Sequence, residues 1–126
     1  MSPGLHLSNS LRLFAFTALL ASVGAHAQTG DSNRGKTLYA SCSSCHSIDE
    51  NDIGPKHRGV VGRKAGTAPD YAYSPALKAS GIVWDKANLD RWLTNPSAMV
   101  PGTKMFFVLK NPQDRADIIA YLAELK

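Results

Sequence analysis

Apolar residues in this chain first crowd into one block and then recur at helical spacing. The block runs from Leu13 to Gly24, twelve uncharged and largely apolar residues preceded by a polar segment that ends in Arg12. Ala25-His26-Ala27 follows, and small residues on either side of a central one match the cleavage rule of secretory signal peptides. A membrane-spanning helix takes about 20 apolar residues, so the run predicts a cleaved signal rather than a retained anchor. The expected organisation is a signal peptide over residues 1–27 and one folded domain over residues 28–126.

Beyond the block the pattern is helical. Asp31 or Ser32 is placed to cap a first helix that carries Leu38, Tyr39 and Cys42 on one face. Gly35 inside it costs about 1 kcal/mol relative to alanine, a cost that makes sense if another helix crosses closely there. The stretch from Ser47 to Gly81 is rich in Gly, Pro and Asp, lacks a sustained period and predicts loop. Ser74-Pro75-Ala76-Leu77-Lys78 predicts one short capped helix within it. Asp85 predicts the cap of a helix bearing Leu89, Trp92 and Leu93, which stops near Asn95-Pro96. The last helix has the clearest signature, with Asn111 as cap, Pro112 at the first position and Ile118, Tyr121, Leu122 and Leu125 at i, i+3, i+4 and i+7. Strand candidates are confined to Val60-Val61 and Phe106-Phe107-Val108-Leu109. The predicted fold is all-α, with three main helices, short helices and loops too long for an ordinary bundle of this size.

Charge and composition narrow the function. Only Arg12 is charged before Asp31, so residues 28–126 hold 13 basic and 10 acidic side chains, a net of +3 in 99 residues. A domain of this size buries only about 60–65% of its unfolded surface and gains from a cofactor that adds apolar area. No run of like charges and no interleaving of Arg with aromatics is present, which argues against a nucleic-acid function. Two cysteines in the whole chain exclude a disulfide-dense scaffold.

Those two cysteines carry the chemistry. Cys42-Ser43-Ser44-Cys45-His46 is the c-type haem attachment pattern. On a helical turn, residues i and i+3 face the same way, so both sulfurs reach neighbouring vinyl edges of one porphyrin. The next residue, His46, is held where an imidazole binds iron as proximal ligand. A thioredoxin-like dithiol wants a βαβ context, a zinc site wants two further ligands, and a disulfide across two intervening residues is strained. Methionine is one common second axial ligand opposite histidine. Met105, in the turn Pro101-Gly102-Thr103-Lys104-Met105, is the candidate; Met99 is read as packing.

With these blocks in order, the chain resembles class I cytochrome c, nearest its mitochondrial-like bacterial branch. The resemblance rests on Gly35 to His46, Gly54-Pro55 through Gly62-Arg63, Asn95-Pro96 through Met105, and Asp117 to Leu122. It implies a cytochrome c fold wrapped around one covalently attached haem c. It implies that the Pro55 carbonyl accepts the His46 ring N–H, that Arg63, Tyr73 and Trp84 lie near the haem propionates, and that Thr103 hydrogen-bonds one of them. It places Trp92 beside the methionine, where the family often has Tyr, and Gly35, Tyr39, Ile118 and Tyr121 at the crossing of the terminal helices. Lys56-His57-Arg58 departs from the usual Asn-Leu after Gly-Pro, and His57 is either a loop histidine hydrogen-bonded nearby or a competitor for iron. The segment between His46 and Gly54 is short for the family.

The expected function is that of a periplasmic one-electron carrier in a respiratory chain, with iron cycling between Fe(II) and Fe(III), and not an enzyme. Its partners are redox proteins docked transiently at the haem edge, steered by a modest basic surface that includes Lys104 and Lys110; neither nucleic acid nor stable membrane insertion is expected, and the chain is read as a monomer. Two alternatives stand beside this reading: a haem subunit of a larger dehydrogenase or oxidase, and a binder of peroxide or diatomic gas with a labile Met105.

Overall fold

A computed structural model describes residues 1–4 and 28–126. The apolar run and the Ala25-His26-Ala27 site of the expected signal peptide lie outside the described residues. Five helices follow in order: α1 (Ser32–Leu38), which runs into a 3-10 turn at Tyr39–Ser41, then α2 (Pro75–Ala79), α3 (Lys86–Thr94), α4 (Pro96–Met99) and α5 (Pro112–Glu124). Among the described residues there is no strand, and one isolated antiparallel bridge pairs Lys64 with Val83. The two strand candidates are loop. Val60 sits in a turn, its N–H on the His57 carbonyl, and Leu109 donates its N–H to the Leu93 carbonyl of α3 rather than to a neighbouring strand. The all-α expectation holds.

Each helix starts where a short polar side chain takes over orphan backbone donors. Asp31 accepts from the N–H groups of Asn33 and Arg34, Ser74 from Leu77, Asp85 from Asn88, and Asn111 from Gln113 and Asp114. Caps of this kind contribute about 1 kcal/mol each. Asn95 does more than end α3. Its side chain accepts from the Ala98 N–H with Pro96 at the first position, so the residue pair that stops one helix starts the next.

The terminal helices set the frame. A methyl group added at Gly35 would lie 2.0 Å from the Asp117 carbonyl oxygen, and one at Gly30 would lie 2.1 Å from that of Ala116. Only glycine lets the backbone of α1 rest directly on α5. Tyr39 and Tyr121 meet edge to face beside this crossing, with ring centroids 5.4 Å apart. The predicted stripe of α5 faces inward, with Ile118, Tyr121 and Leu122 buried and Leu125 half-buried.

Asp117 interrupts that apolar face, yet is only 1% exposed. Its carboxylate accepts from the Asp31 N–H at 2.8 Å, from Gln113 Nε2 at 2.8 Å and from the Arg34 guanidinium. Arg34 also bonds Asp114 at 2.6 Å. On the other side of α5, Arg115 Nε donates to Asp90 at 2.7 Å, which ties the helix to α3. Between α3, α5 and the long loops, the buried side chains of Val60, Leu77, Trp84, Leu89, Leu93 and Leu122 belong to one apolar cluster. That cluster opens onto a cavity.

Candidate functional site

The first wall of the cavity is the end of the α1 segment. After the 3-10 turn the chain closes one more turn, with the N–H groups of Cys45 and His46 both on the Cys42 carbonyl at 3.1 and 2.9 Å. Cys42 and Cys45 therefore sit three residues apart on one turn, and both line the cavity with His46. Cys42 is half-buried and Cys45 exposed; burial pushes the Cys42 thiol above its ordinary pKa. Among the described residues no group of three or more His, Cys, Asp or Glu side chains converges as a metal cage, so the zinc alternative finds no ligand set.

His46 is aimed by its surroundings. Its Nδ1 lies 2.8 Å from the Pro55 carbonyl oxygen, and a carbonyl can only accept, so Nδ1 carries the proton and the lone pair is on Nε2. Burial holds the imidazole below its ordinary pKa against the opposing pull of that carbonyl. Gly54 explains why nothing larger precedes Pro55: a Cβ there would fall 2.2 Å from His46 Cε1. On the face of the imidazole lies His57, its ring centroid 4.0 Å away and its plane tilted by 21°. Periodicity signals neither contact, because both join loop residues across a turn.

Met105 lines the same cavity. Trp92 Nε1 donates to its sulfur at 3.2 Å, and Trp92 in turn packs on Trp84 with ring centroids 5.1 Å apart. Thr103 is buried and also lines the cavity. Lys104 is tied back by a 2.6 Å bond from Nζ to the Ala72 carbonyl. Met99 lies on a separate shallow groove with Ile82 and Val100.

Arg63 and Tyr73 bring polar groups to the same cavity. Arg63 donates from its two terminal nitrogens to the carbonyls of Lys56 at 2.9 Å and Arg58 at 3.2 Å. Its Nε is buried without a partner, and burial lowers the pKa of the guanidinium. The Tyr73 hydroxyl accepts from the Ala68 N–H at 3.1 Å, which leaves its own proton to donate.

Cys42, Cys45, His46, Pro55, Arg63, Tyr73, Trp84, Trp92, Thr103 and Met105 thus all line one cavity of about 480 Å³. Its floor is aliphatic, with Leu77, Leu89, Leu93, Ile118 and Leu122. Two thiols on one turn, a neutral imidazole, a thioether and an orphaned cationic N–H suit a flat, largely apolar macrocycle with acidic side arms. The donor set fits haem.

Comparison with known proteins agrees. Residues 32–126 match the family model described as cytochrome c. The chain is 51% identical over 110 residues to cytochrome c2 of Rhodomicrobium vannielii, covering 84% of this chain and 87% of that one. It is 50% identical over 101 residues to cytochrome c of Euglena viridis, covering 77% and 99%. The solved structure of cytochrome cH from Methylobacterium extorquens superimposes with a TM-score of 0.74 at 48% identity, over 75% of this chain and 99% of that one. Ferricytochrome c2 from Rhodopseudomonas palustris gives 0.73 at 41% identity, over 76% and 99%. Fold, cavity and relatives agree: the chain belongs to the class I cytochrome c family, and its cofactor is one covalently attached haem c.

Proposed function

We propose that the protein is a one-electron carrier of the periplasm, exported by a signal cleaved after Ala27, with His46 and Met105 as the two iron ligands and Cys42 and Cys45 as the thioether anchors. The observation that carries this reading is the pairing of a neutral imidazole, held by Pro55, with a thioether sulfur held by Trp92 on the lining of one cavity. Bound haem supplies a one-electron iron couple.

The chain's own residues do the rest. Pro55 fixes the His46 tautomer and strengthens it as a donor. Trp92 holds the Met105 sulfur on the cavity lining, where the thioether would be placed to hold the iron. Arg63, Tyr73 and Thr103 offer donors to the acidic side arms that would otherwise be buried without partners. The aliphatic floor keeps water away, and a dry site favours a defined redox potential.

Partner docking is supported by the rim. Ile53, Phe106 and Phe107 line the cavity and are 70%, 76% and 40% exposed. A net charge of +3 over residues 28–126 suits transient encounter with acidic redox proteins. Among the described residues, no helix is long and apolar enough to cross a membrane.

Protein matured in a bacterial periplasm tests the whole reading. The expected mass is residues 28–126 plus one haem, with a methionine-to-iron band in the oxidised state and no change when CO is added to the reduced state. Rapid CO binding at neutral pH overturns the carrier reading in favour of a gas or peroxide binder.

A further inference from the structure

Beside His46 stands a polar pair that ligation and attachment leave unused, and one member, His57, also lines the cavity. The His57 ring stacks on His46 at 4.0 Å, and its Nδ1 lies 2.9 Å from the Tyr39 hydroxyl. Tyr39 also meets His57 edge to face at 5.7 Å and touches Tyr121 of α5 in the same way. An unbroken line of rings therefore runs from the crossing of α1 and α5 to the face of the proximal imidazole.

Tyr39 is buried and His57 half-buried, and a polar group withdrawn from water costs free energy unless it is hydrogen-bonded. Here each group answers the other. The phenol is the natural donor and the neutral imidazole the natural acceptor.

The geometry points to His57 and Tyr39 as positioning residues: His57 braces the plane of the His46 ring and lowers the redox potential, and Tyr39 locks His57 in place. The hydrogen bond to Pro55 restrains His46 at one atom only; a stacked ring restrains its plane. The His57 ring also presents an electron-rich face to an imidazole that becomes more cationic when the iron is oxidised, which favours the oxidised form. The inference rests on the reading of His46 as an iron ligand.

The test uses haem-loaded protein carrying His57→Leu or Tyr39→Phe, read by visible spectrum, midpoint potential and the g-values of the ferric electron paramagnetic resonance signal. The expected result is a low-spin spectrum with the methionine band intact, a raised potential and shifted g-values for His57→Leu. Tyr39→Phe gives a smaller shift in the same sense. Because it removes a single oxygen atom, it carries the test alone should His57→Leu not mature. Wild-type potential and g-values in a low-spin variant overturn the inference while leaving the ligand reading intact. A high-spin spectrum from His57→Leu makes His57 the ligand and overturns both.

Discussion

Trp92 donates its indole N–H to the Met105 sulfur across 3.2 Å. A donor on the sulfur draws electron density away from it, weakens it as a ligand to the oxidised iron and so favours the reduced state. A neutral hydrogen bond is worth roughly 0.5–1.5 kcal/mol net, and a tenfold change in a one-electron equilibrium is about 59 mV. Trp92→Phe keeps an aromatic ring and removes the donor. The expected outcome in cyclic voltammetry is a potential lower by about 20–60 mV with the methionine band retained; an unchanged or higher potential removes the indole from any role in tuning.

Replacing the sulfur itself has a larger effect. Met105→Ala leaves Cys42 and Cys45 untouched, so haem attachment survives, while the thioether that raises the potential opposite histidine is gone. Axial-ligand changes span about 0.8 V across haem proteins, and a loss on the order of a hundred millivolts is expected, together with the disappearance of the methionine band. CO should then bind the reduced variant. A retained band would assign the sixth ligand to another side chain.

What was legible beforehand was what lies close along the chain. Asn111-Pro112 with the stripe Ile118, Tyr121 and Leu122 announces α5 because capping and periodicity are local. Cys42, Cys45 and His46 announce haem because attachment needs three residues within one turn. Asn95-Pro96 was legible only as a stop: the same atoms that end α3 cap α4, and a polar residue before proline reads alike in both roles. The burial of Asp117 is not legible, because a carboxylate on an apolar face looks like the edge of the exposed side. Its burial depends on Asp31 and Arg34, more than 80 positions away. Gly54 and His57 stand out in the sequence, one in a family block and the other as a departure from it, but their contacts with His46 are not legible because no period encodes them.

Gly35 tests the frame. An alanine methyl there would sit 2.0 Å from the Asp117 carbonyl oxygen and 3.0 Å from Tyr121 Cβ. The nearer contact is backbone, which cannot rotate away, so α1 must lift from α5. Overpacking typically costs 1–3 kcal/mol, and a backbone clash should reach at least about 3 kcal/mol. Urea unfolding of Gly35→Ala should show a markedly lower midpoint with a similar slope. The line of rings from Tyr121 to His46 also passes this crossing, so the visible spectrum at low urea should change before global unfolding. A midpoint equal to wild type would mean that the helices cross farther apart than described.

Asp117 gives the fold a pH dependence whose sign can be worked out. The Asp31 N–H first, then Arg34 and Gln113, hold its carboxyl below the ordinary aspartate value against the opposing effect of burial. An unfolded aspartate titrates near about 3.9. A folded value below that means the carboxylate stabilises the fold fully above about pH 4, and the contribution is lost as pH falls through the folded pKa. Arg34 stays charged throughout, so the loss comes from Asp117 itself. Asp117→Asn keeps the shape and some hydrogen bonds but has nothing to titrate. The variant should therefore be less stable than wild type at pH 7, and the gap between their urea midpoints should narrow as pH falls from about 4 toward 2. Loss of haem ligation in acid acts on both proteins and cancels in the difference. A gap that stays constant over that window would show that the Asp117 carboxylate contributes no pH-dependent stability to the junction of α1 and α5.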